Sequence, residues 1–111
     1  MVFLYLNSNR MGEGDPELGQ KLLASFLNEL AKSDIKIDAI GCVNSAVFLT
    51  TEKNDPLESL KILEKNGSRI VSCGTCLDHF SRRDKLLIGE IGSMDKTVQI
   101  MATADRVIKP C

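Results

Sequence analysis

The feature that most constrains the fold is the regular alternation of short apolar runs with segments of helical periodicity. Residues 2–7 (VFLYLN) and 36–43 (KIDAIGCV) are rich in apolar residues, as strands buried on both faces of a sheet are. Between them, apolar side chains recur at spacings of three to five, which predicts one buried helix face made of Leu18, Leu22, Leu23, Phe26, Leu27 and Leu30.

The rest of the chain repeats this alternation. Three more strands are predicted, at residues 68–73, 86–92 and 106–110, with helical segments between them. Strands that alternate with helices favour a parallel sheet covered on both faces. Residues 1–111 are therefore predicted to form one α/β domain, a three-layer α/β/α sandwich with a mostly parallel five-stranded sheet.

Helix boundaries are marked by residues with well-understood roles. Asp15 followed by Pro16 predicts an N-cap and a first helical residue, and Asp55 followed by Pro56 predicts a second start of the same kind. Leu57, Leu60 and Leu63 are expected to face the core, Asn66-Gly67 to end this second helix, and Ser93 to cap a last helix that carries Val98, Met101 and Ala102.

Composition argues against several classes of function. The net charge is -1 and the aromatic residues are four Phe and one Tyr, so no basic stripe with stacking residues predicts nucleic-acid binding. No apolar run approaches the roughly 20 residues of a membrane span, and the N-terminus lacks the features of a signal peptide. A cytoplasmic location is expected, in which the four cysteines are reduced, catalytic or metal-bound rather than bridged.

Parallel sheets collect their functional groups beyond the carboxyl ends of the strands. Three loops are expected to meet there, at residues 7–15, 42–54 and 73–77. Five residues in or near these loops could line a shared pocket, bind an anion or assist proton transfer, although a structural role is open for each of them: Arg10, Gly12, Gly14, Cys42 and His79.

The third loop contains a CxxC motif, Cys73-Gly-Thr-Cys76. Four interpretations stay open: half of a zinc site, a thioredoxin-like redox pair, a sulfur relay through a persulfide, or two small side chains that fill a turn. Covalent haem attachment is excluded because Leu77, not histidine, follows the second cysteine. Cys76 lies near the first turn of a helix, where a thiol pKa is lowered, and is the predicted nucleophile; Cys73 is the predicted resolving thiol.

Three segments together resemble the DsrE/DsrF-like family: NRMGEGDPELGQKLLASFL (9–27), CVNSAVFLTTE (42–52) and GSRIVSCGTCLDHF (67–80). Within that family the likeness is closest to the C-terminal domain of the YedF group, sulfurtransferase-like proteins of selenium metabolism. The resemblance runs from the first strand to ADRVI (104–108), with SCGTCLD and MGEGDPELG as its most specific parts.

The resemblance implies the DsrEFH-like fold, homo-oligomers, and transfer of sulfur or selenium as a persulfide or selenosulfide on the CxxC loop, without a cofactor or metal. It implies donor and acceptor proteins such as a TusA-like domain, and a place for this chain as the C-terminal domain of a longer protein. A binding or assembly module and a thiol–disulfide redox module are the alternatives. By the same resemblance, further residues border the site: Asn7, Asn9, Asn44 and Ser45.

Overall fold

Five strands form one sheet in the computed structural model, which describes residues 1–111. They are β1 (Val2–Leu6), β2 (Ala39–Cys42), β3 (Arg69–Cys73), β4 (Glu90–Gly92) and β5 (Arg106–Ile108). Their order across the sheet is β4-β3-β2-β1-β5, and every neighbouring pair is parallel. The predicted five-stranded parallel α/β fold is confirmed, although β2 and β4 are shorter than the sequence pattern indicated.

Five helices connect the strands: α1 (Pro16–Lys32), α2 (Phe48–Thr51), α3 (Asp55–Lys65), α4 (Gly74–His79) and α5 (Met94–Thr103). Two 3₁₀ turns, Asn44–Val47 and Arg83–Lys85, precede α2 and follow α4. The chain adds strands in one direction from β1 to β4 and then returns through α5 to place β5 beside β1. Because crossovers between parallel strands are right-handed, this reversal puts α5 on the face of the sheet opposite α1 and α3.

The main core lies between one sheet face and the helices α1 and α3, which pack against each other. Leu4, Ile40 and Ile70 occupy paired positions on the three central strands and are fully or almost fully buried. The helices bury against them Leu23, Leu27, Leu30, Leu57, Leu60 and Leu63. The inward orientation predicted for the three leucines of α3 is confirmed.

Leu18 and Leu22 do not belong to this core, contrary to the prediction. They are 54% and 46% exposed, whereas Leu23 and Leu27 on the same helix are fully buried. At 3.6 residues per turn, Leu18 and Leu22 lie roughly 100° or more around the helix from the centre of the buried stripe. The prediction was wrong because spacings of three to five residues include side chains on different faces of a helix.

Both major helices begin with a capping side chain. The Asp15 carboxylate accepts a hydrogen bond from the Leu18 amide at 2.7 Å, with Pro16 in the first helical position, as predicted. The cap of α3 is Asn54 rather than Asp55, since the Asn54 side chain accepts from the Leu57 amide at 3.3 Å. Asn54 has the extended backbone that a cap requires, and Asp55 is the first helical residue, where its charge favours the helix dipole.

The second face of the sheet is covered only by α5, which has no fully buried residue. Lys96, Thr97 and Ile100 line the gap between α5 and the strands. The apolar residues Met94, Val98 and Met101 recur at helical spacing on another side of α5 and are 51%, 58% and 38% exposed. These three residues form an apolar α5 stripe that the domain itself leaves uncovered.

Candidate functional site

The loops that follow β1, β2 and β3 are joined by backbone hydrogen bonds at the carboxyl edge of the sheet. The amide of Asn9 in the first loop donates to Ser45 Oγ in the second at 3.1 Å. The amide of Asn44 donates to Cys76 Sγ in the third at 3.1 Å. The three segments that the sequence placed at this edge are therefore linked in series, the first loop to the second and the second to the CxxC motif.

The two thiols of the motif lie where β3 passes into α4. Cys73 is both the last residue of β3 and the N-cap of α4, and Cys76 is the third residue of that helix. In a capping box, the side chains at these two positions each bond the backbone amide of the other residue, so both lie on the same side of the helix start. Both cysteines are free and partly exposed, but Cys76 also packs against the main core, whereas Cys73 does not.

The electrostatic setting of Cys76 favours the thiol. Burial raises the pKa of Cys76, and the nearby Cys73 thiol raises it further by hydrogen bonding and charge, while the Asn44 amide acts in the lowering direction. The short helix therefore does not give Cys76 the lowered thiol pKa that its position near a helix start suggested.

Asn44 presents its amide to Cys76 from an unusual backbone conformation. Its φ is 53°, in the left-handed region, where asparagine is tolerated better than most other residues. Such a conformation costs of order 1 kcal/mol and is maintained only where surrounding contacts hold it. The hydrogen bond to Cys76 Sγ is one of those contacts.

One of the cationic side chains downstream of the motif lies against it. The Arg83 guanidinium binds Asp78 through two hydrogen bonds of 2.6 and 3.0 Å, and this pairing lowers the pKa of Asp78. A Cβ on Gly74 would lie 2.8 Å from Arg83 Nη2, so the guanidinium is packed on the backbone that joins the cysteines. Arg82 instead stacks on Phe48, with Cζ 4.5 Å from the ring centroid, and binds Glu52 at 3.3 Å.

Cys42 and His79, which the sequence suggested as pocket residues, make no hydrogen bond with the thiols of the CxxC motif. Cys42 is 1% exposed within the main core, where burial raises its thiol pKa to about 12. His79 is exposed, its ring lies edge-on to Phe80 at 5.0 Å, and it makes no hydrogen bond to either cysteine of the motif. Cys42 is thus a core residue, and His79 is a surface residue at the end of α4.

The predicted pocket residues of the first loop divide between two clefts. Asn7, Arg10 and Gly12 line one cleft together with Lys109 and Cys111, which follow β5. Asn9 lines another, with the 3₁₀–α2 segment and the first turns of α1 and α3. Gly14 lines neither of them.

Cys111 lies beside the first loop, a position that the sequence did not predict. Its thiol donates to the Ser8 carbonyl at 3.8 Å, and its side chain packs against the main core. The only signal for this position would have been the return of β5 to the side of β1, which depends on the order of strands and cannot be read from local periodicity.

Two further structural facts bear on the choice among chemistries. No group of three or more His, Cys, Asp and Glu side chains is arranged to hold a metal ion. None of the helices combines the length and apolar character that crossing a membrane requires.

Comparison with known proteins gives a family and two similar folds. The sequence profile of the DsrE/DsrF-like family matches residues 37–110. The crystal structure of the ychN protein from E. coli is similar with a TM-score of 0.74 and 19% identity, over 97% of each chain. A protein of unknown function from Methanobacterium thermoautotrophicum, MTH1491, is similar with a TM-score of 0.66 and 20% identity, over 98% of this chain and 97% of that one. No curated protein matches the chain significantly.

Proposed function

The chain belongs to the DsrE/DsrF-like family, and we propose that it acts as a sulfur relay in which the Cys73–Cys76 pair carries a persulfide. Family membership supports sulfur handling in general. The location of the pair at the carboxyl edge of the sheet, in contact with the loop after β2, which in turn contacts the loop after β1, supports the CxxC motif as the place where it occurs.

The single observation that carries the proposal is the hydrogen bond from the Asn44 amide to Cys76 Sγ. A sulfur atom that only fills space needs no such donor, because free cysteine behaves as a small apolar residue. Here a residue in a strained conformation directs an N–H group at the sulfur, which favours a role for this atom in chemistry.

The transfer needs only thiol chemistry. A thiolate of the pair attacks the outer sulfur of a donor persulfide, the S–S bond of the donor breaks, and the donor departs as a thiolate. An acceptor thiolate then removes the sulfur from the pair in the same manner. No electrons are gained or lost overall, so the relay requires no cofactor.

Mass spectrometry after incubation with a cysteine desulfurase and cysteine tests the proposal. We expect a gain of about 32 Da, one sulfur atom, confined to the peptide that contains Cys73 and Cys76. The double variant Cys73→Ser/Cys76→Ser should lose this adduct, whereas Cys111→Ser should keep it. An adduct that persists in the double variant would count against the CxxC site.

The finer identity of donor and acceptor extends this proposal. The likeness of SCGTCLD and MGEGDPELG to the YedF group supports a TusA-like domain as partner, a place as the C-terminal domain of a longer protein, and selenium as an alternative cargo. Replacing cysteine by selenocysteine in the desulfurase reaction tests the cargo. Selenium bound to the same peptide would support it, and a peptide that stays free of selenium would count against it.

A role as an assembly module is a second candidate, favoured by the apolar α5 stripe. Met94, Val98 and Met101 expose apolar side chains on one side of a helix whose sheet-facing side includes two polar residues, Lys96 and Thr97. A second copy of the chain would cover this stripe, which supports a homo-oligomer. Assembly and sulfur transfer are compatible, since the stripe and the cysteine pair belong to different helices.

A further inference from the structure

We infer that the two cysteines have separate tasks: Cys73 receives the sulfur, and Cys76 then expels it as hydrosulfide by forming a Cys73–Cys76 disulfide. This inference rests on the proposed relay function and adds a release step to it. It also reverses the order of action that the sequence pattern suggested for the two thiols.

The position of Cys76 suits a resolving thiol. Its sulfur is fixed from one side by the Asn44 amide at 3.1 Å and from another by packing against the main core. A sulfur held in this way is poorly placed to meet an incoming protein donor. Burial also raises its pKa, which reduces the thiolate fraction available to attack a donor.

The position of Cys73 suits the receiving thiol. It ends a strand at the functional edge of the sheet, lies outside the main core and makes no capping hydrogen bond with its side chain. The residues beside it are Gly74, which follows it in the chain, and Gly92, its partner on β4, so neither neighbour adds a side chain that would shield it.

The two sulfur atoms are within reach of each other. Residues three apart on a helix have Cβ atoms about 5–6 Å apart, and a disulfide needs about 3.5–4.5 Å, so closing the bond requires the extended N-cap residue Cys73 to shift toward Cys76 by roughly 1–2 Å. The Cys73 thiol lies close enough to Cys76 to raise its pKa by hydrogen bonding and charge, as the positions of the two residues, the N-cap and the third residue of one helix, allow.

The release step balances without any outside oxidant. The Cys76 sulfur attacks the inner sulfur of the Cys73 persulfide, and its proton passes to the outer sulfur. The persulfide S–S bond breaks, its electron pair leaves with the outer sulfur as HS⁻, and a Cys73–Cys76 bond forms. The sulfane sulfur is reduced while the two thiols are oxidised; a dithiol reductant must then reopen the disulfide before the next cycle.

A single-turnover experiment tests the division of tasks. The full chain and its Cys73→Ser, Cys76→Ser and double variants receive glutathione persulfide in the absence of other thiols. Released sulfide is trapped with monobromobimane, and the proteins are weighed by intact-mass spectrometry. The double variant gives the background decay of the donor. Parallel alkylation of the unmutated chain with iodoacetamide, read by peptide, measures each thiol without mutation.

We expect the wild-type chain to lose about 2 Da and to release about one hydrosulfide per chain above background. Cys76→Ser should instead retain a gain of about 32 Da on Cys73. In Cys73→Ser, labelling should be markedly slower, because Cys76 packs against the main core and its sulfur is held by the Asn44 amide. Iodoacetamide should modify Cys73 before Cys76.

Other outcomes distinguish a failure of the division of tasks between the two cysteines from a failure of the relay itself. A persulfide that stays on the wild-type chain without sulfide release, or one that forms on Cys76 at an undiminished rate in Cys73→Ser, overturns the division of tasks and leaves the relay intact. Absence of both adduct and disulfide in the wild-type chain and in both single variants overturns the relay itself.

Discussion

The amide of Asn44 donates a hydrogen bond to the sulfur of Cys76 across 3.1 Å, joining two residues that are 32 positions apart in the chain. Asn44 begins the 3₁₀ turn after β2, and Cys76 lies in the first turn of the helix after β3. Because β2 and β3 are neighbours in the sheet, this contact is fixed by the pairing of the strands.

Replacing Asn44 tests whether its backbone conformation maintains the thiol site. Asn44→Val should lower the free energy of unfolding by about 1–2 kcal/mol, because a β-branched residue strongly disfavours the left-handed region. It should also slow iodoacetamide modification of Cys76, since a displaced amide no longer stabilises the thiolate. Asn44→Gly is the matched control and should keep the Cys76 rate, because glycine adopts the same φ without strain. Equal Cys76 rates in the Val and Gly variants would contradict this account.

Alkaline pH should destabilise the domain through Cys42. Burial raises the pKa of this thiol from 9.0 to about 12, so the unfolded chain releases the proton first. The stabilisation that the neutral thiol gives is complete below pH 9.0 and is lost as pH rises toward about 12. Urea unfolding in this window should show wild-type stability falling up to about 1.4 kcal/mol per pH unit faster than that of Cys42→Ala. Parallel pH profiles would exclude the effect.

Substituting alanine for Gly89 and for Gly67 compares the stability cost of a methyl group that meets β3 with the cost of one that meets nothing. Both have positive φ, 74° and 111°, but a Cβ on Gly89 would lie 2.4 Å from the Ile70 carbonyl oxygen, while one on Gly67 would meet nothing within 4 Å. Gly67→Ala should cost only the backbone strain, about 1–2 kcal/mol. Gly89→Ala should cost clearly more, because strand β3 must shift to admit the methyl group. Similar thermal unfolding midpoints for the two variants would contradict this prediction and show that β3 shifts at little cost.

The apolar α5 stripe should govern self-association. Val98→Asp places a charge at its most exposed position and should convert an oligomer into a 12.2 kDa monomer, measured by light scattering after size exclusion. Ile62→Asp is the matched control: Ile62 is 48% exposed but lies on α3, on the other side of the sheet, and the variant should retain the oligomer. A wild-type chain that is already monomeric, or an oligomer that survives in Val98→Asp, would contradict the prediction.

The fold could be predicted from the sequence because its signals are local. The strands at residues 2–6 and 69–73 and the cap at Asp15 follow from apolar runs and from one carboxylate before a proline. The orientation of Leu18 and Leu22 was mispredicted, because a period of three to five admits several helix faces and only the position of the sheet selects one.

The site was predictable in its location but not in its internal arrangement. The rule that loops meet at the carboxyl ends of parallel strands placed the loop at residues 42–54 beside the CxxC motif, and Asn44 of that loop does contact Cys76. The raised pKa of Cys76 depends on packing against the core, and the contact of the His79 ring with Phe80 depends on how α4 and Phe80 pack in the fold. Neither feature is encoded in the spacing of the residues.

The strands that carry these loops are the three interior ones, β1, β2 and β3, whereas β4 and β5 at the edges have three residues each. An interior strand can expose its amides to hydrogen exchange only after a neighbouring strand has detached, so opening of the domain starts at its edges. A domain that has transiently released β4 or β5 still keeps β2 paired with β3, and with that pairing it keeps Asn44 beside Cys76. The thiol site thus belongs to the part of the chain that is last to unfold.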